Sequence, residues 1–229
     1  MDIGELTRRN FLRVSGATGL LVAAEGCYQV RTIPIKEDYP LKHICQDNTV
    51  FIDLFDDKTE CKGVFNQPAT EKGYLPVFII TKNNSPDQYV LPRSDVLFTD
   101  SNCIKWEQAN GLKMSKSFHR APGLEAAGMG ILFGLLGGIT AWLGAAKWNE
   151  EMDRDFTDKM MKDSLQIYPL SSANGCIYFR NPEEKDGVFT HKYSDQEVAK
   201  AVAGAKLTIP LVNVAKGQKE TIEVQLKPD

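Results

Sequence analysis

The sequence predicts a mainly β protein: an Ig-like β-sandwich interrupted by a long glycine-rich apolar helix or helical hairpin. Three observations predict it. Short β-branched and aromatic runs bounded by turn residues recur through residues 50–120 and again through 164–229. Between them, the 21 residues from Ala126 to Ala146 carry no charge and include six glycines. The segment that follows, to residue 163, shows an apolar stripe at helical spacing. The boundaries read as 1–26 an export signal, 27–49 an extended tether, 50–120 the first half of the sandwich, 121–163 the apolar helix with an amphipathic extension, and 164–229 the second half.

The N-terminus sets the address. Arg8 and Arg9 precede Phe11, Leu12 and Arg13, and an uncharged run of 11 residues follows, from Val14 to Ala24. As a helix that run rises about 17 Å, short of the roughly 30 Å hydrocarbon core, so it suits a cleaved signal better than a permanent span. The arginine pair followed by Phe11 and Leu12 resembles the signal read by the bacterial twin-arginine export machinery. Ala24, Glu25 and Gly26 then lead to Cys27, which reads as a lipidation site whose acyl chains would hold the protein at a membrane. Ordinary cleavage after Gly26, leaving Cys27 unmodified, is the alternative. Both place the folded chain in the bacterial cell envelope; the first makes it periplasm-facing and membrane-anchored.

Pro34 and Pro40, mixed charges and no sustained period mark 27–49 as a tether. Strands are expected at 50–55 (VFIDLF), 75–81 (LPVFIIT), 89–91 (YVL) and 96–99 (VLFT). The second of these ends in Asn83, Asn84, Ser85, Pro86 and Asp87, a dense set of turn residues. Short strands with polar connections favour a sandwich over βαβ units.

The uncharged segment is long enough, at about 31 Å as one helix, to match a bilayer core. Gly130, Gly134 and Gly138 recur every fourth residue, which lines one helix face with small residues and lets another backbone approach. A single span would separate the two β halves across a membrane, and each half has too few strands to stand alone. One sandwich therefore requires the chain to leave and return on the same side. Gly137 and Gly138 allow a hairpin of two short arms; a helix lying across the sheet is the other solution. Beyond it, Trp148, Met152, Phe156 and Met160 form a stripe that reads as core contact rather than a cofactor site.

The second half carries strand patterns at 165–170 (LQIYPL), 175–180 (GCIYFR), 187–190 (GVFT), 206–212 (KLTIPLV) and 221–226 (TIEVQL). The last alternates cleanly, so one face is buried and the other wet. Ser194 followed by Glu197 reads as the capped start of a short helix running to Gly204.

The chemistry is sparse. A net charge of −3 with scattered basic residues argues against a nucleic-acid partner. Beyond Cys27, an even count of cysteines in an oxidising compartment fits two disulfides, expected as Cys45–Cys61 and Cys103–Cys176; unpaired buried thiols are the alternative. No cysteine spacing matches a zinc or iron–sulfur site, and His43, His119 and His191 fall in no ligand motif. Asp53, Asp56 and Asp57 read as solvated turn acids rather than calcium ligands, and Ser194 and Asp195 near His191 make no convincing triad. No phosphate loop or nucleophile elbow occurs. No catalytic residue, cofactor or metal is expected.

An export signal ending at cysteine, the run 77–85 (VFIITKNNS), the glycine-rich apolar insertion and the run 175–179 (GCIYF) together resemble bacterial envelope lipoproteins of unassigned function. That resemblance implies a β-sandwich at the envelope and supplies no catalytic residues. The expectation is a non-catalytic membrane-anchored subunit of a larger assembly, with a partner protein or a second copy. A lipoprotein binding a lipid or small ligand against its apolar insert, and an accessory subunit of an exported redox enzyme, are the alternatives.

Overall fold

Strand β1 (Leu41–Cys45) turns tightly into β2 (Asn48–Leu54), with Cys45 opposite Asn48 and Gln46 in the left-handed region at φ 49°. The computed structural model describes residues 28–36, 38–182 and 192–226, with 133 and 134 described by backbone alone. Arg8, Arg9, Phe11 and Leu12 of the export signal, the lipidation candidate Cys27, and the strand expected at 187–190 lie outside the described residues. The chain divides into two compact units: one from Arg31 to Ser117 with Asp155 onward, the other from Phe118 to Arg154 with 28–30.

The larger unit is mainly antiparallel β. After β2 come helix α1 (Lys58–Phe65), strand β3 (Tyr74–Asn83), β4 (Tyr89–Pro92), β5 (Leu97–Thr99), β6 (Lys105–Ala109) and the short helix α2 (Gly111–Lys116). The smaller unit takes most of helix α3 (Pro122–Lys159). The β unit resumes with β7 (Ser164–Ile167), β8 (Ser172–Arg180), α4 (Asp195–Val202), β9 (Lys206–Asn213) and β10 (Lys219–Gln225). Strands pair in the order β1-β2-β3-β8-β6-β5-β9-β4-β7, with β10 on β9.

Strand β6 is shared. Its residues Lys105 and Trp106 pair with β5, while Glu107 to Ala109 pair with β8. The strands on either side of it send alternate residues into one core. Val50, Ile52, Val77, Ile79, Ile177 and Phe179 come from one group; Leu91, Phe98, Ile209, Leu211, Ile222 and Val224 come from the other. Each such side chain, fully buried, contributes about 1.5–3 kcal/mol. The alternation expected for 221–226 is observed, with Ile222 and Val224 inward and Glu223 and Gln225 exposed.

Strand β3 is buried on both faces. Leu75, Val77 and Ile79 face the shared core. Residues one step out of phase, such as Phe78, point the other way, as period two requires. The second face of the β3–β8 pair lies under an aromatic layer: Phe65 of α1 sits 5.3 Å from Phe156 and 5.9 Å from Tyr178, and edge-on to Phe55 at 5.6 Å. The Tyr178 hydroxyl donates to the Phe156 carbonyl at 2.9 Å, which satisfies the one polar atom of that buried ring. The stripe residue Phe156 is thus core contact in fact.

Several local signals have clear outcomes. Ser194 and Glu197 form a complete capping box on α4. Asn83 closes the turn after β3: its side-chain amide donates to the Asp87 and Tyr168 carbonyls, and its carbonyl oxygen accepts from Ser85 N–H. Residues 41–45, read from the sequence as tether, form β1, and helices α1 and α2 stand where no element was expected. Asp57 caps α1, accepting from the backbone N–H groups of Thr59 and Glu60 at 2.7 and 2.9 Å. Asp53, expected from the sequence to be a solvated turn acid, is instead buried and paired with Lys36.

Gly175 and Gly111 are required by close backbone approach. A Cβ on Gly175 would lie 2.7 Å from Met161 Cα, and one on Gly111 would lie 2.6 Å from the Phe156 carbonyl oxygen. Gly175→Ala is expected to lower unfolding free energy by about 1–3 kcal/mol, because backbone must shift. Gly63, inside α1 with nothing within 4 Å, is the control. Gly63→Ala is expected to raise stability by about 0.5–1 kcal/mol. Urea midpoints of the two variants, moving in opposite directions from the parent, check this.

Candidate functional site

Helix α3 is not one rod. Its 38 residues would extend about 57 Å if straight, and Gly130 would then lie about 12 Å from Gly138. Instead, a Cβ placed on Gly138 would lie 3.5 Å from the Gly130 Cα and 3.0 Å from the Ala126 carbonyl oxygen. The chain therefore reverses near residue 134, and two helical arms run antiparallel at glycine-to-glycine distance. The turn expected at Gly137 and Gly138 is not where the chain reverses: Gly138 packs against Gly130 within the returning arm. The neighbour that Gly130 and Gly138 admit is this chain's own returning arm, and Gly134 lies at the reversal.

The base of the hairpin is latched by side chains. Arg120 N–H donates to Asn149 Oδ1 at 2.9 Å, and Asn149 Nδ2 donates to the Arg120 carbonyl at 3.0 Å. One amide side chain thus satisfies both backbone groups of a residue outside the helix. The Arg120 guanidinium stacks 3.9 Å over the Trp148 ring, and Tyr28 meets the same ring edge-on at 5.3 Å. His119 Nε2 lies 2.6 Å from Asp153 Oδ1. From the sequence His119 reads only as a histidine in no ligand motif and Trp148 only as core contact, and the pairings themselves were not legible. The available signal was a histidine and arginine just before the apolar run, and an asparagine and acids just after it.

Small residues occupy the inner side of the second arm, where Ala141 and Ala145 are buried. Large ones point outward. Leu124, Ile131, Leu132, Leu135, Leu136, Ile139, Trp142 and Leu143 are all exposed, Ile131 by 86 % and Leu135 by 80 %. Soluble surfaces rarely gather so many large apolar side chains without a ligand or partner. The Thr140 hydroxyl donates to the Leu136 and Gly137 carbonyls at 3.0 and 3.1 Å. Among the described residues, no helix is long and apolar enough to cross a membrane.

The other candidates sit in the β unit. All four described cysteines are free, so the expected pairs Cys45–Cys61 and Cys103–Cys176 are not formed. Cys103 is exposed in a turn at φ 63°, whereas Cys176 is fully buried in β8. Cys61 is fully buried and donates to the Phe55 carbonyl at 3.3 Å. Cys45 is half-buried on β1, its thiol 3.6 Å from the Glu220 carboxylate. Burial pushes the Cys61 thiol up to about 12 and raises that of Cys176 as well. Burial also lowers Lys159, against its ion pair with the buried Asp155.

Asp56, Asp57 and Glu60 bring carboxylate oxygens within 4.8 Å of one another, the one acidic cluster of metal-binding size among the described residues. Burial, then the neighbouring Asp57, raises Glu60. Thr70, Tyr74, Trp106, Asn181 and Val198 line a pocket of about 50 Å³, room for a few water molecules and no more. It does not approach the volume of a small-molecule site.

Two outcomes are expected. At pH 8 a thiol reagent titrates Cys103 at once and leaves Cys61 and Cys176 unlabelled until the protein unfolds. Because the folded-state value of Cys61 is raised, its contribution to stability is complete below about pH 9 and is lost as pH rises towards 12. Urea stability therefore falls across that window, with a shallower slope in Cys61→Ala. Separately, Gly138→Leu is expected to drive the arms apart. A cost of about 1–3 kcal/mol would speed proteolysis within 121–150 roughly tenfold or more, while the melting of the β unit stays unchanged.

No protein-family model matches the chain, and no curated protein matches it. Among solved structures, the chain is similar to a FixG-related protein from Vibrio parahaemolyticus, at 7% identity and a TM-score of 0.31, over 80% of this chain and 98% of that one.

Proposed function

We propose that this protein is a non-catalytic, exported envelope protein, anchored by acylation of Cys27, that serves as a structural subunit of a larger assembly. Its β unit is read as an Ig-like sandwich that supplies a rigid body. The glycine-packed hairpin is read as its contact with a non-aqueous partner. The observation that carries this reading is the exposure of large apolar side chains along the hairpin. Side chains of that kind are stabilised by about 1.5–3 kcal/mol each when covered. The signal sequence with Arg8, Arg9, Phe11 and Leu12 supports export, and the approach to Cys27 supports a lipid anchor.

The test is purification from the native membrane in mild detergent, with intact mass and co-purifying proteins read from one preparation. A chain beginning at Cys27 with acyl mass, in stoichiometric company, is expected. An unmodified N-terminus on a lone chain overturns the reading.

A further inference from the structure

We infer that the hairpin enters a single lipid leaflet tip first, so that the protein holds the membrane at a second point besides its N-terminus. The inference rests on the reading of the hairpin as an apolar contact and names what covers it. Length comes first. From Ala126 to the reversal near 134 the first arm rises about 12 Å, and from there to Ala146 the second rises about 18 Å. Half of a roughly 30 Å hydrocarbon core is about 15 Å. The arms fit one leaflet and not two.

Polarity comes second. A protein-facing patch has a polar rim around an apolar centre. Here, between Glu125 and Lys147, there is no charged or amide side chain on either arm. The one aliphatic hydroxyl, that of Thr140, bonds to carbonyls of its own helix. Ile131, Leu132, Leu135 and Leu136 are exposed on both sides of the reversal. In hydrocarbon backbone polar groups must be satisfied within the segment, and helical backbone runs along both arms.

The base comes third. Charged groups bound both arms, with Arg120 and Glu125 before the first and Lys147, Glu150 and Glu151 after the second, and Arg120 meets Asn149 at the base. Trp148, stacked on Arg120, stands at that level, as aromatic residues do at a headgroup boundary. The charges are mixed in sign, so insertion follows apolar area rather than lipid charge and is insensitive to salt.

The experiment uses the full chain carrying Cys27→Ser, which cannot be acylated. Vesicles of phosphatidylethanolamine and phosphatidylglycerol are the probe. The protein is expected to float with them equally at low and high salt. The double variant Leu135→Asp, Leu136→Asp should lose about a hundredfold or more in partitioning, because acids at the core of a bilayer are strongly disfavoured. Both positions are exposed, so its thermal melting should match the parent. With brominated lipids, a tryptophan placed by Leu135→Trp should be quenched best by deep bromines. Trp142, about 12 Å from the reversal, should be quenched best by shallow ones, a signal lost in Trp142→Phe.

No flotation, flotation abolished by salt, or equal shallow quenching of both positions overturns the inference. So does a stable dimer in solution that the double aspartate variant dissociates, since a second copy would then cover the tip. If vesicle binding fails while native partners still co-purify, the leaflet inference falls and the assembly reading stands.

Discussion

Nine consecutive cross-strand partners, from Tyr74 opposite Arg180 to Lys82 opposite Ser172, tie β3 to β8. The remainder of the β unit is arranged around that ladder. It joins segments nearly a hundred residues apart in sequence, and it must be covered on both faces because β3 has almost no exposed residue. The shared core covers one face. The aromatic layer of Phe55, Phe65, Phe156 and Tyr178 covers the other. Gly175 lets the backbone at Met161 close against β8, and the Met161 N–H donates to the Cys176 carbonyl at 2.7 Å. Loop-closure entropy grows only slowly with length, so a long insertion between β6 and β7 need not weaken the ladder.

The insertion obeys a different rule. Helix interiors disfavour glycine by up to about 1 kcal/mol each, so six glycines in one helical stretch need compensation. For Gly130 and Gly138 close antiparallel contact supplies it, since dispersion and backbone approach depend on the missing side chains, whereas Gly128 and Gly144 have nothing within 4 Å. The large residues are then displaced to the outside of both arms. Tight packing within the hairpin and an apolar exterior are one outcome of the same spacing.

The strands were legible wherever apolar alternation met turn chemistry, as at 75–81 before Asn83 and at 221–226. They were illegible where burial did not impose a pattern. Strand β1 alternates only between half-buried and exposed positions, and its His43 and Lys42 carry no apolar signal. Helix α1 is short and has a weak apolar face, so its start lies in the Asp57 cap rather than in any period. The even cysteine count favoured bridges, but tertiary structure buries Cys176 inside β8 and leaves Cys103 exposed in a turn. In the hairpin, the glycine row was readable and the reversal was one of two readings. The latch was not, because an asparagine 29 residues from an arginine has no sequence signature.

That latch has a consequence for how such an insertion can change. Asn149 holds both backbone groups of Arg120, so the two ends of the hairpin meet whatever lies between them. Arm length is then a free dimension: one extra turn on each arm moves the tip about 5.4 Å further out while the closing geometry is retained. A lineage could tune reach in steps of a helical turn, with the β unit never asked to adjust.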